Sequence, residues 1–327
     1  MLNMPLLAVT NLSKRFNLEA GFFARFGRFV NAVNDISFSI GKNEAYGLVG
    51  ESGCGKTTTA RMLVRMYEAD TGKILFNEID TSKLKKEALQ KYREKVRYVF
   101  QDPARSLNPR MSVYEVLVSG CRKPLRQKGV KEKELREKAA AILEEVGLGA
   151  ADLEKRPSEF SGGQRQRISI ARALLMEPEL LICDEVVSAL DVSIQGQILN
   201  LLLDIRRKRN ISFLFIAHDL KVACYFCDRI GVMYKGEMME EALAADLYKE
   251  GVHPYTKLLF SSVAGKKDEE PHAEAQRHRT KGSGERREDV FGCSFAPRCP
   301  QATERCWNEK PQWAEKNSGH YIRCFNY

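Results

Sequence analysis

Short apolar runs recur along the chain, and between them apolar residues fall every three or four positions. Ala45–Tyr46–Gly47–Leu48–Val49, Leu180–Leu181–Ile182–Cys183 and Ser212 to Ala217 show no polar alternation. That is the signature of strands buried on both faces of a parallel sheet. Val96 to Phe100 reads as a further strand, and Thr57 to Met66 as a helix following the first. From roughly Asp102 to Pro178 the spacing is helical. Leu135, Ala139, Ile142, Leu143 and Val146 there form one apolar face. Strand–helix alternation predicts an α/β domain with a parallel sheet, carrying an inserted helical subdomain at about 102–178. From Gly265 to Glu288 charge replaces every Leu, Ile, Val and aromatic residue. Such a stretch cannot offset its ordering entropy by burial, which predicts a flexible linker over 263–290 between a domain at 1–262 and an extension at 291–327.

The first apolar strand runs into Gly50-Glu51-Ser52-Gly53-Cys54-Gly55-Lys56-Thr57, which fits the phosphate-binding pattern G-x-x-x-x-G-K-[ST]. Glycines let backbone N–H groups turn inward onto phosphate oxygens. The following helix adds its positive end. Lys56 is placed to reach the β- and γ-phosphates, Thr57 to ligate Mg²⁺, and Thr58 to add a phosphate hydrogen bond. The third run ends in Asp184-Glu185. Asp184 is the candidate to hold Mg²⁺, directly or through water, and Glu185 the candidate base for an attacking water. Ser161-Gly162-Gly163-Gln164 supplies a second serine, glycine amides and helix N-terminus, hence a second anion site. Two cradles for one triphosphate make sense if the second caps nucleotide held by a partner chain.

With His218 following the next apolar run, this order of motifs resembles the nucleotide-binding subunits of ABC transporters. The resemblance implies a P-loop NTPase core: a parallel-sheet, RecA-like subdomain, an antiparallel β subdomain and the helical insertion. It implies ATP and Mg²⁺ as ligands. It further implies that Gln101 contacts Mg²⁺ and the lytic water, that His218 touches the γ-phosphate, that Ser161 to Gln164 is the signature, and that Ser188 to Asp191 links the two sites. Adenine stacks on an aromatic residue upstream, for which Phe16 holds the usual place. Phe22, Phe23, Phe26 and Phe29 in the following insertion are the alternatives. One departure is clear: the family's usual proline after the glutamate is replaced by Val186, followed by Val187, which removes a φ restraint beside the base.

The segments QDPARSLNPRM (101–111), SEFSGGQRQ (158–166) and His253-Pro254-Tyr255-Thr256 resemble the oligopeptide and dipeptide branch, closest to the F-type ATPase of the peptide/nickel importers. That implies a second ATPase subunit of D-type, two integral membrane permeases and, indirectly, a substrate-binding protein. Peptide is the implied cargo, with nickel or another small solute as the alternative. A soluble ABC ATPase of DNA repair or translation is the more distant reading, because the chain has one ATPase unit and no inserted DNA-binding module.

Cys293, Cys299, Cys306 and Cys324 form a small cysteine-containing extension. Four thiolates suit zinc or an iron–sulfur cluster, and the resemblance implies a [4Fe-4S] cluster in some members. Cys224 and Cys227 read as packing residues. The net charge of +9 suits anionic ATP and a negatively charged inner leaflet, and mixed surface charge accounts for it equally. No nucleic-acid motif accompanies it. With no run near the roughly 18 apolar residues of a membrane span and no secretory pattern at Met1 to Pro5, the chain is expected to be cytosolic, peripheral at the cytoplasmic face of the inner membrane.

Overall fold

The computed structural model describes residues 4–17, 29–263 and 291–327. The strands among them are, in chain order, β1 (Leu7–Asn17), β2 (Phe29–Ile40), β3 (Ala45–Val49), β4 (Thr71–Phe76), β5 (Ile79–Asp80), β6 (Val96–Val99), β7 (Leu180–Asp184), β8 (Ser212–Ala217), β9 (Arg229–Tyr234), β10 (Glu237–Leu243), β11 (Ala314–Asn317) and β12 (His320–Ile322). They form an antiparallel sheet, β2-β1-β4-β5, and a larger sheet, β11-β12-β10-β9-β3-β8-β7-β6. Residues 264–290 of the expected linker lie outside the described set, as do Phe22, Phe23 and Phe26, whereas Val263 ends the helix Pro254–Val263.

The apolar runs become the parallel centre of the larger sheet: β3 lies between β8 and β9, and β7 between β6 and β8. Every residue of β8 is buried. Phe213, Phe215 and Ala217 enter one core, and Leu214 and Ile216 the other. This two-sided burial is why β8 shows no polar alternation. Each large side chain so buried contributes about 2 kcal/mol of transfer free energy.

The helix after β3 runs Lys56–Leu63 and stops short of Met66, because Arg65 takes a φ of +56°. Between β6 and β7 lie the helices Pro103–Ser106, Val113–Val118, Arg122–Gln127, Glu132–Glu145 and Gly162–Leu174. Their starts are written in the sequence. Asp102 accepts from the Ala104 and Arg105 amides, and Ser112 with Glu115 forms a reciprocal capping box. Leu135, Ala139, Ile142, Leu143 and Val146 are all buried together.

The extension does not stand apart from the ATPase sheet. β12 pairs antiparallel with β10, placing Ile322 opposite Glu240 and Tyr321 opposite Glu241. β10 is buried despite carrying Glu237, Glu240 and Glu241, because each carboxylate has partners. Glu241 accepts from the Tyr46 hydroxyl at 2.6 Å, and Glu237 from Asn34 at 2.7 Å. Glu240 accepts from the Val252 and His253 amides at 2.8 and 3.0 Å and meets His320 Nε2 at 2.7 Å.

His253 is buried with its Nδ1 accepting from the Tyr255 amide at 3.0 Å. Burial lowers its pKa from 6.5 to about 4, against the opposing pull of Glu240. The unfolded chain therefore takes up this proton near pH 6.5 and the folded chain only near 4. The stabilisation is complete above the higher value and is lost as pH falls between the two, up to about 3 kcal/mol. Denaturant midpoints at pH 7 and pH 5 should diverge for the native chain. They should converge for His253→Asn, which keeps an acceptor and cannot titrate.

Candidate nucleotide site

Residues 50–55 join β3 to the helix Lys56–Leu63 through Gly53 (φ +79°) and Gly55 (φ +109°). Neither dihedral suits an L side chain. A Cβ at Gly55 would stand 2.2 Å from the Ala32 carbonyl oxygen, whereas one at Gly53 would meet nothing within 4 Å. The loop thus packs against β2 on one side and is open on the other. Gly55→Ala should cost about 1–3 kcal/mol and lose nucleotide binding, read as a lowered melting temperature together with loss of fluorescent-ATP binding.

Lys56 is buried, and its ammonium donates to the Gly50 and Glu51 carbonyls at 2.7 and 2.9 Å. Thr57 Oγ1 donates to Asp184 Oδ1 at 3.0 Å, and Tyr98 donates to Asp184 Oδ2 at 2.5 Å. Burial and the Asp184 carboxylate push the Tyr98 phenol far above its usual range, so it remains a donor. Glu185 lies between three partners: Gln101 Nε2 at 2.8 Å, His218 Nδ1 at 3.8 Å and Lys56 Nζ at 4.0 Å. A cleft of about 40 Å³ opens beside it, walled by His218, Ser188 and Gln195. That is room for a water.

Glu185 has φ +48°, a conformation that costs free energy and marks an over-determined position. Its amide donates to the Ile216 carbonyl at 3.0 Å, and its carbonyl accepts from the Ser188 amide at 3.1 Å and hydroxyl at 2.9 Å. Val186 and Val187 are buried in the core. Buried valines and Ser188 therefore fix the turn where proline was expected.

Ser161 caps the helix Gly162–Leu174. Its hydroxyl accepts from the Gln164 amide at 3.3 Å, and Gln164 Oε1 accepts from the Ser161 amide at 2.9 Å. Both residues are exposed, so this helix end faces outward. A Cβ at Gly163 would meet Ile194 Cγ2 at 2.7 Å. Glycine there lets this helix pack on Val192–Arg209, whose N-cap Asp191 is exposed and makes no side-chain capping bond.

Among the remaining loop residues, Ser52 is exposed, Thr58 is half-buried in the first helical turn, and Cys54 is buried with its thiol pKa raised by burial. The Glu51 amide donates to the Tyr255 hydroxyl at 2.9 Å rather than into the cradle. Phe16, at the end of β1, is half-buried, with Tyr67 edge-on at 5.3 Å. Phe29 is exposed beneath the Arg15 guanidinium.

Magnesium and ATP fit this donor set. The Thr57 hydroxyl and the Asp184 carboxylate are hard oxygen ligands beside one another, and Lys56 satisfies itself on backbone carbonyls of an otherwise open cradle. The expectation for Cys293, Cys299, Cys306 and Cys324 does not hold in the same way. Their sulfurs lie within electrostatic reach of one another, and burial raises the pKa values of Cys293 and Cys324, and that of Cys299 to about 11. Among the described residues, no group of three or more His, Cys, Asp or Glu side chains is arranged to hold a metal ion. Cys227 is buried against Gly47, and burial raises Cys224 to about 11, as packing residues require.

A phosphate loop after β3, with Asp184 and Glu185 at the end of β7, has the layout of a P-loop nucleoside triphosphatase. The family model described as ABC transporter matches residues 33–188, and that for the oligopeptide/dipeptide transporter C-terminal region matches residues 239–306. The oligopeptide transport ATP-binding protein AppF of Bacillus subtilis is 41% identical over 98% of this chain and 97% of its own length. The structure of cbiO1 from Clostridium perfringens, part of the ABC transporter complex cbiONQ, superposes with a TM-score of 0.64 at 26% identity, covering 76% of this chain and 92% of that one. The ATP-binding cassette MJ0796, dimeric and bound to ADP and Pi, gives 0.63 at 26% identity over 73% and 98%. The chain belongs to the ABC transporter ATP-binding family, within its oligopeptide/dipeptide branch, and is an ATPase.

Sequence reasoning missed Tyr98, which donates to Asp184. Tyr98 had a signal: a tyrosine in the strand beside the one that ends in Asp184.

Proposed function

We propose that this chain is the energy-coupling ATPase of an importer for di- and oligopeptides. The observation that carries the catalytic part is the Glu185 carboxylate, held by Gln101, His218 and Lys56 next to the Thr57–Asp184 pair. The match of residues 239–306 to the peptide-transporter C-terminal region supports the cargo class.

In this reading Lys56 leaves the Gly50 and Glu51 carbonyls for the β- and γ-phosphates, and the loop amides and the end of the Lys56–Leu63 helix take the remaining charge. Thr57 and Asp184 would hold magnesium, with Gln101 in contact with it, and the ion would supply neutralisation of phosphate charge. Tyr98 keeps Asp184 in place. Glu185 accepts the proton of a water in the adjoining cleft, and His218 orients that water and the γ-phosphate. Ser161, the Gly162 and Gly163 amides and Gln164 cap the γ-phosphate of nucleotide held by a second ATPase subunit, which we assign as a D-type paralogue. Asp191 begins the helix against which that element packs, and so links the two sites. Phe16 stacks on adenine.

Closure of the two ATPases on ATP, and reopening after hydrolysis, drives two permeases fed by a binding protein. The chain joins the cytoplasmic face of the inner membrane through those permeases. No helix among the described residues is long and apolar enough to cross a membrane. A zinc or iron–sulfur centre would take Cys293, Cys299, Cys306 and Cys324 as thiolates. Iron and zinc content of anaerobically purified protein decides that point. The cargo is tested by reconstituting the chain with its copurifying permeases: peptide-stimulated hydrolysis supports the reading, and stimulation by nickel alone overturns it.

A further inference from the structure

Glu51 places a carboxylate in the phosphate loop, at a site that must accept a triphosphate of the same sign. The extension answers that charge. Arg298 grips Glu51 through two parallel bonds, Nη1 to Oε2 at 2.8 Å and Nη2 to Oε1 at 2.9 Å, the bidentate geometry that gives Arg–carboxylate pairs their strength and direction. The guanidinium is itself held, lying over the Tyr234 ring at 5.7 Å and the Phe295 ring at 5.9 Å.

Phe295 is buried and packs on Tyr234 and Tyr255, both at 5.3 Å. The Tyr255 hydroxyl accepts from the Glu51 amide, and the Tyr255 amide donates to His253 Nδ1. The His253 amide donates to Glu240, which also binds His320 of β12. The loop is thus tied to the extension directly through the side chain of Glu51, and indirectly through its backbone, which binds Tyr255 of the ATPase domain, itself packed on Phe295.

We propose that the C-terminal extension positions the phosphate loop and screens it, with Arg298 neutralising Glu51 and Phe295 bracing Tyr255, which holds the Glu51 amide, so that nucleotide affinity is set partly by the extension. This rests on the loop being the nucleotide site. Arg298 and Tyr255 are positioning residues and do not touch nucleotide themselves. The pair is partly exposed, with side-chain exposures of 44% and 40%, so the effect is electrostatic and sensitive to salt.

The test is equilibrium binding of fluorescent ATP to the full chain at low and high ionic strength. Arg298→Met should weaken binding about fivefold at low salt, and less at high salt. Adding Glu51→Gln should restore affinity to within about twofold of the native chain, because the unanswered charge is gone. Tyr255→Phe should weaken binding whether residue 51 is Glu or Gln. Native binding with no effect of Arg298→Met overturns the proposal. So does an equal loss from Arg298→Met in the native and Glu51→Gln backgrounds, which is what a merely unfolded extension would give. A native chain that binds no nucleotide overturns the nucleotide-site reading itself.

Discussion

Glu185→Gln should lower ATP turnover of the assembled complex by about a thousandfold while leaving MgATP binding within about twofold. The substitution is isosteric, so the turn fixed by Ser188 and the Ile216 carbonyl survives, as does the φ of +48°. What disappears is the group that takes the proton from water. Lys56, Thr57 and Asp184, the binding set, are untouched. Steady-state phosphate release and filter binding of labelled ATP separate the two quantities. Hydrolysis at the native rate would remove Glu185 as the base and leave His218, across the same cleft, to be tested in its place.

Ser161→Arg should abolish cooperative hydrolysis, by about a hundredfold or more, with ATP binding at the chain's own loop intact. Ser161 is exposed at the start of the Gly162–Leu174 helix. An arginine there removes a cap worth about 1 kcal/mol and puts a long side chain where another subunit's γ-phosphate must dock. Ser161→Ala separates the contributions: it loses the cap and the hydroxyl without the bulk, and should retain far more activity. A Ser161→Arg chain that hydrolyses normally in the complex would show that this element does not cap a phosphate.

The parallel centre of the fold was legible because β7 and β8 are buried on both faces and could be written only in apolar residues. The phosphate loop was legible because Gly53 and Gly55 hold positive φ values that few residues tolerate. β10 was not, since a strand with three glutamates reads as surface until their partners are known. Tyr46, Asn34 and His320 come from β3, β2 and β12 respectively, and no local pattern announces them. Arg298 and Glu51 lie far apart in sequence and meet where Phe295 of the extension packs on Tyr234 and Tyr255. The four late cysteines show the converse. Their spacing suggests ligands, but sulfur positions depend on packing between Cys293 and Cys306 that spacing does not encode. Helix limits erred where one residue decides, as Arg65 does for the helix after the loop.

The central claim is that one triphosphate is held between two ATPase chains, by the phosphate loop of one and the Ser161 element of the other. Light-scattering mass of the Glu185→Gln chain, alone and mixed with the second ATPase subunit of its complex, tests it most directly. MgATP should convert monomers into a dimer in one of those two samples, and Ser161→Arg in the same background should abolish that dimer while nucleotide remains bound. Saturation with MgATP that leaves every chain monomeric in both samples would contradict the account.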